Sequence, residues 1–197
     1  MNDISGDIAP NVPEPVTELI QSAVRFVRAS VGVELDGTQD TLPLLDHYVV
    51  QARAYVQERP ETLPLLAHAT GAYFGQLLNR EFGGFWRAVE PSAEQWRIGM
   101  HTVFLAMNPV GIAYQIIGEG DIAGPPAEMM LAREDKPGVL ARLDSLADVS
   151  HETYHTFGTR FDVVQAVVEH LRGEMQAGNQ TDVVFEGGDY ADEFSDW

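Results

Sequence analysis

The hydrophobic pattern of this chain changes its period at Gly83-Gly84. Upstream of the two glycines, apolar residues recur three and four positions apart, which is the spacing of one helix face. Downstream, Phe85 to Val89 and then the alternating positions from Trp96 to Phe104 have the period of strands, and a turn around Pro91 would join them as a hairpin. Helices are predicted over about residues 15–31, 42–58, 63–80, 110–117 and 137–146. The sequence therefore predicts an α+β fold, a helix-rich single domain with a central β-hairpin or small antiparallel sheet.

Composition predicts where this domain begins and ends. Residues 1–14 hold glycine and proline among small polar residues, which predicts a flexible leader. Residues 15–178 contain all the periodic segments and are predicted to form the single domain. Residues 179–197 are acidic and contain neither lysine nor arginine, so we expect a disordered tail.

Two glycines, Gly71 and Gly75, lie four positions apart inside the third predicted helix. Glycine in a helix interior costs roughly 1 kcal/mol relative to alanine. Glycines at this spacing share one helix face and allow another backbone to approach closely. The pair therefore predicts a tight crossing between this helix and another element.

The same region carries a family pattern of glycines and aromatic residues. Its residues are Gly71, Tyr73, Gly75, Gln76, Gly83-Gly84 and Trp86. Over about residues 71–111 the chain resembles uncharacterised families of small bacterial proteins, in which glutamate is commoner at the position of Gln76. Some of these families look like immunity or accessory proteins. The resemblance implies a shared scaffold and transfers no catalytic residue.

The charge balance excludes several classes of function. The chain of 197 residues has 30 Asp and Glu against 12 Lys and Arg, and a formal net charge of −18. Such a surface repels a phosphate backbone, so no nucleic-acid partner is expected.

The chain has no cysteine, which excludes disulfides, thiolate metal sites and cysteine nucleophiles. No apolar stretch approaches the length of a membrane span, so we predict a cytoplasmic protein without a membrane partner.

Residues 151–155 read His-Glu-Thr-Tyr-His, which is an H-E-x-x-H motif. On a helix this spacing places His151 and His155 on one face, where they could hold zinc, and Glu152 could activate a bound water as a base. One hypothesis is therefore a zinc metallohydrolase or peptidase that uses these three residues. Another is the capture of a metal ion by the two histidines alone.

The sequence pattern offers no third zinc ligand. In metzincin-like motifs Gly158 would match, but the ligand position that follows is Phe161, which cannot bind zinc. On a continuous helix Asp162 would lie about 10 Å along the axis from His155, which is too far for one ion. An apolar stripe that begins at Tyr154 predicts such a helix, with Tyr154 on its core side. We therefore favour a solvated helix face and predict no cofactor.

Aromatic residues alternate with acids in the predicted tail. They are Phe185, Tyr190, Phe194 and Trp197. Such a segment is typical of a linear motif that folds on a partner, so these four are the candidate partner-binding residues. The leading prediction is a non-catalytic protein–protein interaction protein of accessory, adaptor or immunity type. Its acidic surface and acidic-aromatic tail would bind another protein with a basic surface.

Overall fold

The computed structural model describes residues 12–89, 91–120, 122–146, 148–194 and 197. These residues form a helix-rich α+β fold with a four-stranded antiparallel sheet, which confirms the predicted fold class. Residues 1–11 of the predicted leader lie outside the described residues. Val12 packs against the hydrophobic core and Glu14 is already the first residue of a helix.

Three long helices form the first half of the domain. They are α1 (Glu14–Val31), α2 (Leu42–Glu58) and α3 (Leu63–Phe82). α1 ends because Gly32 adopts a left-handed conformation with φ of 78°, and its N–H bonds to the carbonyl of Arg28. α3 is the central helix, since every residue from Ala69 to Asn79 is buried. The period of the sequence located these helices well because each presents an apolar face to one common core.

The glycines of α3 lie against α4 (Pro109–Ile117), whose N-cap is the Asn108 side chain. A Cβ atom added to Gly71 would stand 2.7 Å from the Cα atom of Val110 and 2.8 Å from the carbonyl oxygen of Pro109. A Cβ on Gly75 would meet the ring of Trp86 at 2.5 Å. The predicted tight crossing is therefore present: backbone atoms of α4 fill the space beside Gly71, and the side chains of Trp86 and Pro109 fill the space beside Gly75.

The antiparallel sheet has the strand order β1-β2-β3-β4. Its strands are β1 (Gly84–Arg87), β2 (Arg97–Met100), β3 (Leu105–Met107) and β4 (Met130–Leu131). Gly84 pairs with Met100, and Gly99 pairs with Ala106. The prediction of one strand from Trp96 to Phe104 was wrong, because the chain bends at residues 101–104 and forms two strands instead. β1 and β2 still form the predicted hairpin.

Four further helices complete the second half of the described chain. They are α5 (Lys136–Asp144), α6 (His151–Tyr154), α7 (Phe157–Ala177) and α8 (Gly187–Glu193). The single long helix predicted to run through the H-E-x-x-H motif was therefore wrong. The Ser150 hydroxyl caps α6 at the N–H of Thr153, and the Thr156 hydroxyl caps α7 at the N–H of Thr159. Two capping residues in this short stretch allow the chain to change direction between α6 and α7.

The segment after α7 packs against the sheet instead of forming the disordered tail that we expected. Residues 187–193 form α8, and the Tyr190 side chain is fully buried. The N–H of Phe185 bonds to the carbonyl oxygen of His101 at 2.9 Å. Acidic composition alone was a poor guide here, because the four interleaved aromatic rings supply enough apolar surface to hold the segment in place.

Across the residues that the structure describes, no helix is both long and apolar enough to cross a membrane.

Candidate functional site

The H-E-x-x-H segment is a junction between two helices. His155 follows α6 and is 6% exposed, whereas His151 and Glu152 are exposed. The centroids of the two imidazole rings are 4.4 Å apart. The Nδ1 atom of His155 lies 2.9 Å from the carbonyl oxygen of His151, within hydrogen-bond distance. The structure thus brings the two predicted ligands together, but one ring nitrogen of His155 already bonds to the backbone.

A structural or catalytic zinc ion normally takes at least three protein ligands. In the described parts of the chain, no group of three or more His, Cys, Asp or Glu side chains lies close enough to hold a metal ion. These residues therefore do not fit the zinc site of a hydrolase. No catalytic step through a metal follows from this geometry.

Arg53 of α2 explains why the junction has a fixed position. Its side chain is 11% exposed, and Nη1 donates to Oε1 of Glu119 at 2.9 Å. Nη2 donates to the carbonyl oxygens of Ile116 at 2.9 Å and His155 at 2.8 Å. One guanidinium therefore joins α2, the end of α4 and the junction after α6.

Asp46, also on α2, caps the helix that follows the junction. Its carboxylate accepts hydrogen bonds from the backbone N–H groups of Phe157 at 2.6 Å and Gly158 at 3.1 Å. Burial raises the pKa of Asp46 above its usual value, while these two bonds and the charge of Arg53 act in the opposite direction. Sequence patterns did not reveal this role, because the cap is more than a hundred residues away from the helix it serves.

Tyr154 lies on the solvent side of the junction and not on the core side that the stripe predicted. Its side chain is 42% exposed, and the guanidinium of Arg160 lies 4.0 Å from its ring centroid. The chain changes direction after His155, so Tyr154 no longer shares a face with the apolar residues of α7. The core positions at that end belong to Phe157 and Phe161.

The four aromatic residues proposed for partner binding come together around Phe104 in the bend between β2 and β3. Ring centroids of Phe185, Tyr190 and Phe194 lie 5.3, 4.6 and 5.6 Å from that of Phe104. Trp197 stacks on Tyr190 at 4.7 Å. Tyr190 is fully buried by these contacts, while the other three of the four are partly buried. The ring of Tyr190 therefore packs against other residues of this chain.

The hydroxyl of Tyr190 fills the opening between β2 and β3. It accepts from the backbone N–H groups of Met100 and Leu105 at 3.2 Å each. The hydroxyl oxygen lies 2.7 Å from the carbonyl oxygen of Met100, 3.1 Å from that of Val103 and 3.2 Å from that of Leu105. The hydroxyl has one proton, which it donates to one of these three oxygens. One side-chain group thereby satisfies backbone groups that the bend removes from the strand ladder.

Beside this aromatic cluster lies a cavity of about 690 Å³, which we call the acidic groove. It runs between α7, the segment that contains α8, and the chain between β4 and α5. Its carboxylates are Glu134, Asp135, Glu174, Asp189, Asp192 and Glu193. Its apolar floor is formed by Phe104, Ala132, Leu171, Met175, Val183 and Phe185, and Gln180 completes the lining. Of the residues that the structure describes, neither a lysine nor an arginine lines it.

Glu134 and Glu174 of the acidic groove repel Asp135. Burial raises the pKa of Asp135, and the neighbouring charges of Glu134 and Glu174 raise it further, whereas His170 lowers it. Glu134 and Asp135 precede α5, while Glu174 lies near the end of α7, so separate elements bring the charges together. The sequence showed the acids but not their convergence over an apolar floor.

Comparison with protein-family models, with curated proteins and with solved structures finds no match to this chain. The proposals that follow therefore depend on the geometry of the described residues.

Proposed function

We propose that the protein is a non-catalytic interaction protein of accessory, adaptor or immunity type, and that the acidic groove binds a basic amphipathic segment of a partner protein. The observation that carries the proposal is the lining of the groove, whose described residues comprise six carboxylates and an apolar floor and include neither lysine nor arginine. We also propose that the protein is cytoplasmic, in keeping with the composition of the chain.

Electrostatics favours a cationic occupant. Burial raises the pKa of Asp135, and the charges of Glu134 and Glu174 raise it further, so ionised Asp135 costs free energy that a nearby cation would reduce. The rest of the molecule adds to the field, because the whole chain carries a net charge of −18. Complementary charge increases the rate of association and discriminates against acidic partners.

The apolar floor favours a peptide segment over a free polyamine. Phe104, Met175 and Phe185 line the groove and are only partly buried. Burying such surface contributes about 25 cal/mol per Å². A segment in which lysine or arginine alternates with apolar residues would satisfy the carboxylates and the floor together.

The aromatic tail has a different role in this proposal from the one that the sequence indicated. Phe185 lines the groove, and Tyr190 fixes the segment that carries Asp189, Asp192 and Glu193. The partner would therefore bind to a preformed surface and would not have to order a flexible tail, which lowers the entropy cost of binding. Phe194 and Trp197 support this wall through their stacking with Phe104 and Tyr190.

The test measures binding of a designed peptide of alternating lysine and leucine to the full chain by isothermal titration calorimetry. The groove variant combines Glu134→Lys, Glu174→Lys and Asp192→Lys, all at exposed positions. The matched control combines Glu18→Lys, Glu58→Lys and Glu61→Lys, which are at exposed positions that do not line the groove. Both variants change the net charge equally.

We expect saturable binding whose affinity falls at least tenfold in the groove variant and much less in the control, since three exposed ion pairs, each contributing up to about 1 kcal/mol, are replaced by repulsion between like charges. A lysine peptide without leucine should bind more weakly, because it leaves the floor exposed. Equal losses in the two variants would mean that only net charge matters, and the proposed groove would then be wrong. The absence of saturable binding would also refute it.

A further inference from the structure

A second cavity, which we call the apolar pocket, lies between α5 and α7 and has a volume of about 460 Å³. Its walls are Gln115, Ala127, Glu128, Met129, Leu131, Lys136, Val139, Leu140, Leu143, Tyr154, Arg160 and Val163. None of these residues lines the acidic groove. The volume is in the usual range for sites that enclose small organic molecules.

The apolar pocket differs from the rest of the surface in its charge. Among the described residues that line it, two are basic, Lys136 and Arg160, and one is acidic, Glu128. In a chain with a net charge of −18, this pocket therefore has a small excess of positive charge. The remaining walls are mostly aliphatic side chains.

Arg160 is held in the pocket by neutral groups. Its Nη1 donates to the hydroxyl oxygen of Tyr154 at 2.9 Å, and its Nη2 donates to Oε1 of Gln115 at 3.2 Å. Its Nε atom is inaccessible to solvent and makes no hydrogen bond with the described residues. Among those residues no carboxylate lies within ion-pair distance of this guanidinium, so its charge has no counterion there.

A partly buried cation without a counterion is costly, and an anion that enters the pocket would remove that cost. The Tyr154 hydroxyl accepts a hydrogen bond from Arg160, so its own proton is free to be donated to such an anion. Lys136, at the start of α5, is exposed and can supply a second charged donor. These three donors suit a carboxylate, which accepts several hydrogen bonds at its two oxygens.

We propose that the apolar pocket binds a small amphipathic carboxylate, with its charged group at Arg160, Tyr154 and Lys136. Its hydrocarbon part would lie against Leu131, Val139, Leu140, Leu143 and Val163. The site would therefore give the protein a small-molecule ligand in addition to the protein partner proposed above. The two proposals depend on different residues and can fail separately.

The experiment uses decanoate as the probe, below its aggregation concentration, with the full chain in a calorimeter. Decanol serves as the uncharged ligand of the same length. Arg160→Met and Lys136→Met each remove one cation, and Leu140→Asp places a negative charge at an exposed wall position. Arg133→Met is the control, because Arg133 is exposed and lines neither cavity. Circular dichroism establishes that each variant is folded.

We expect decanoate to bind in one-to-one stoichiometry, and decanol to bind at least about tenfold more weakly. Arg160→Met, Lys136→Met and Leu140→Asp should each weaken decanoate binding by about tenfold, whereas Arg133→Met should leave it unchanged. Since Lys136 and Leu140 are exposed, their variants give an answer even if Arg160→Met fails to fold. Three results would overturn the proposal: absence of saturable binding, equal affinity for decanol, or unchanged decanoate binding in Lys136→Met and Leu140→Asp.

Discussion

Replacing Tyr190 by phenylalanine removes one oxygen atom from the opening between β2 and β3. The ring contacts with Phe104 and Trp197 remain possible, because phenylalanine keeps the same aromatic surface. The N–H of Leu105 also lies 2.9 Å from the Val103 carbonyl oxygen, so it keeps a partner. The N–H of Met100 loses its hydrogen bond to the hydroxyl, and a carbonyl oxygen loses the bond that the hydroxyl donates.

The expected loss of stability follows from these two bonds. A buried donor left without a partner costs about 1–3 kcal/mol, and a typical net hydrogen bond contributes about 1 kcal/mol. We therefore expect Tyr190→Phe to lower the free energy of unfolding by about 2–4 kcal/mol. For a domain of this size, that corresponds to a fall in Tm of roughly 5–15 °C.

Urea unfolding followed by circular dichroism measures this difference directly. Tyr48→Phe is the matched control, because Tyr48 is partly buried and the structure gives its hydroxyl no hydrogen bond among the described residues. The control should change stability by less than about 0.5 kcal/mol. If Tyr190→Phe were as stable as this control, the hydroxyl would not stabilise the bend between β2 and β3, and the proposed reason for the two separate strands would be wrong.

Other predictions concern the helix junction and the acidic groove. Asp46→Ala should lower the free energy of unfolding by about 1–2 kcal/mol, because the N-terminal N–H groups of α7 lose their hydrogen bonds to Asp46. Asp40→Ala, at an exposed position, should not lower it, and equal effects of the two substitutions would contradict the capping role of Asp46. Asp135→Asn should raise Tm at neutral pH, because Asp135 has a raised pKa and its ionisation therefore opposes folding. This gain in Tm should vanish as the pH falls through that pKa toward 3.8, since the wild-type carboxyl is then protonated. A gain that persists at the lower pH would show that ionisation of Asp135 is not its cause. Protein purified without a histidine tag should carry no stoichiometric zinc, and His155→Ala should lower Tm through its buried ring; stoichiometric zinc lost in that variant would restore the metallohydrolase hypothesis.

The sequence was sufficient for the helices of the first half and for the class of the fold. α1, α2 and α3 were predictable because each has local signals: an apolar face, a proline near the start, and a glycine or proline near the end. The close packing at Gly71 was predictable for a similar reason, since glycine inside a helix needs a compensating contact. These inferences depend only on neighbours along the chain.

The predictions that were wrong concern features that depend on contacts between residues far apart in the sequence. The apolar alternation through residues 96–104 continues across the bend, and the hydroxyl that stabilises the bend belongs to Tyr190. The helix after His155 starts anew at the local Thr156 cap, and the distant Asp46 accepts hydrogen bonds from the N–H groups of Phe157 and Gly158. The acidic groove likewise needs segments that are far apart in sequence, and charge composition by itself does not reveal which carboxylates meet.

The position of Tyr190 also has a consequence for the order of folding. The hydroxyl bonds to Met100 across 90 residues of sequence, which makes it one of the most non-local contacts at the sheet. During synthesis, β2 and β3 leave the ribosome long before Tyr190, and their open ends expose Phe104 until it arrives. We expect the closing of this opening to be a late step, whose rate depends on the C-terminal segment finding the bend. A chain interrupted before Tyr190 would keep unpaired strand ends and an exposed aromatic ring, which are features that chaperones and proteases recognise.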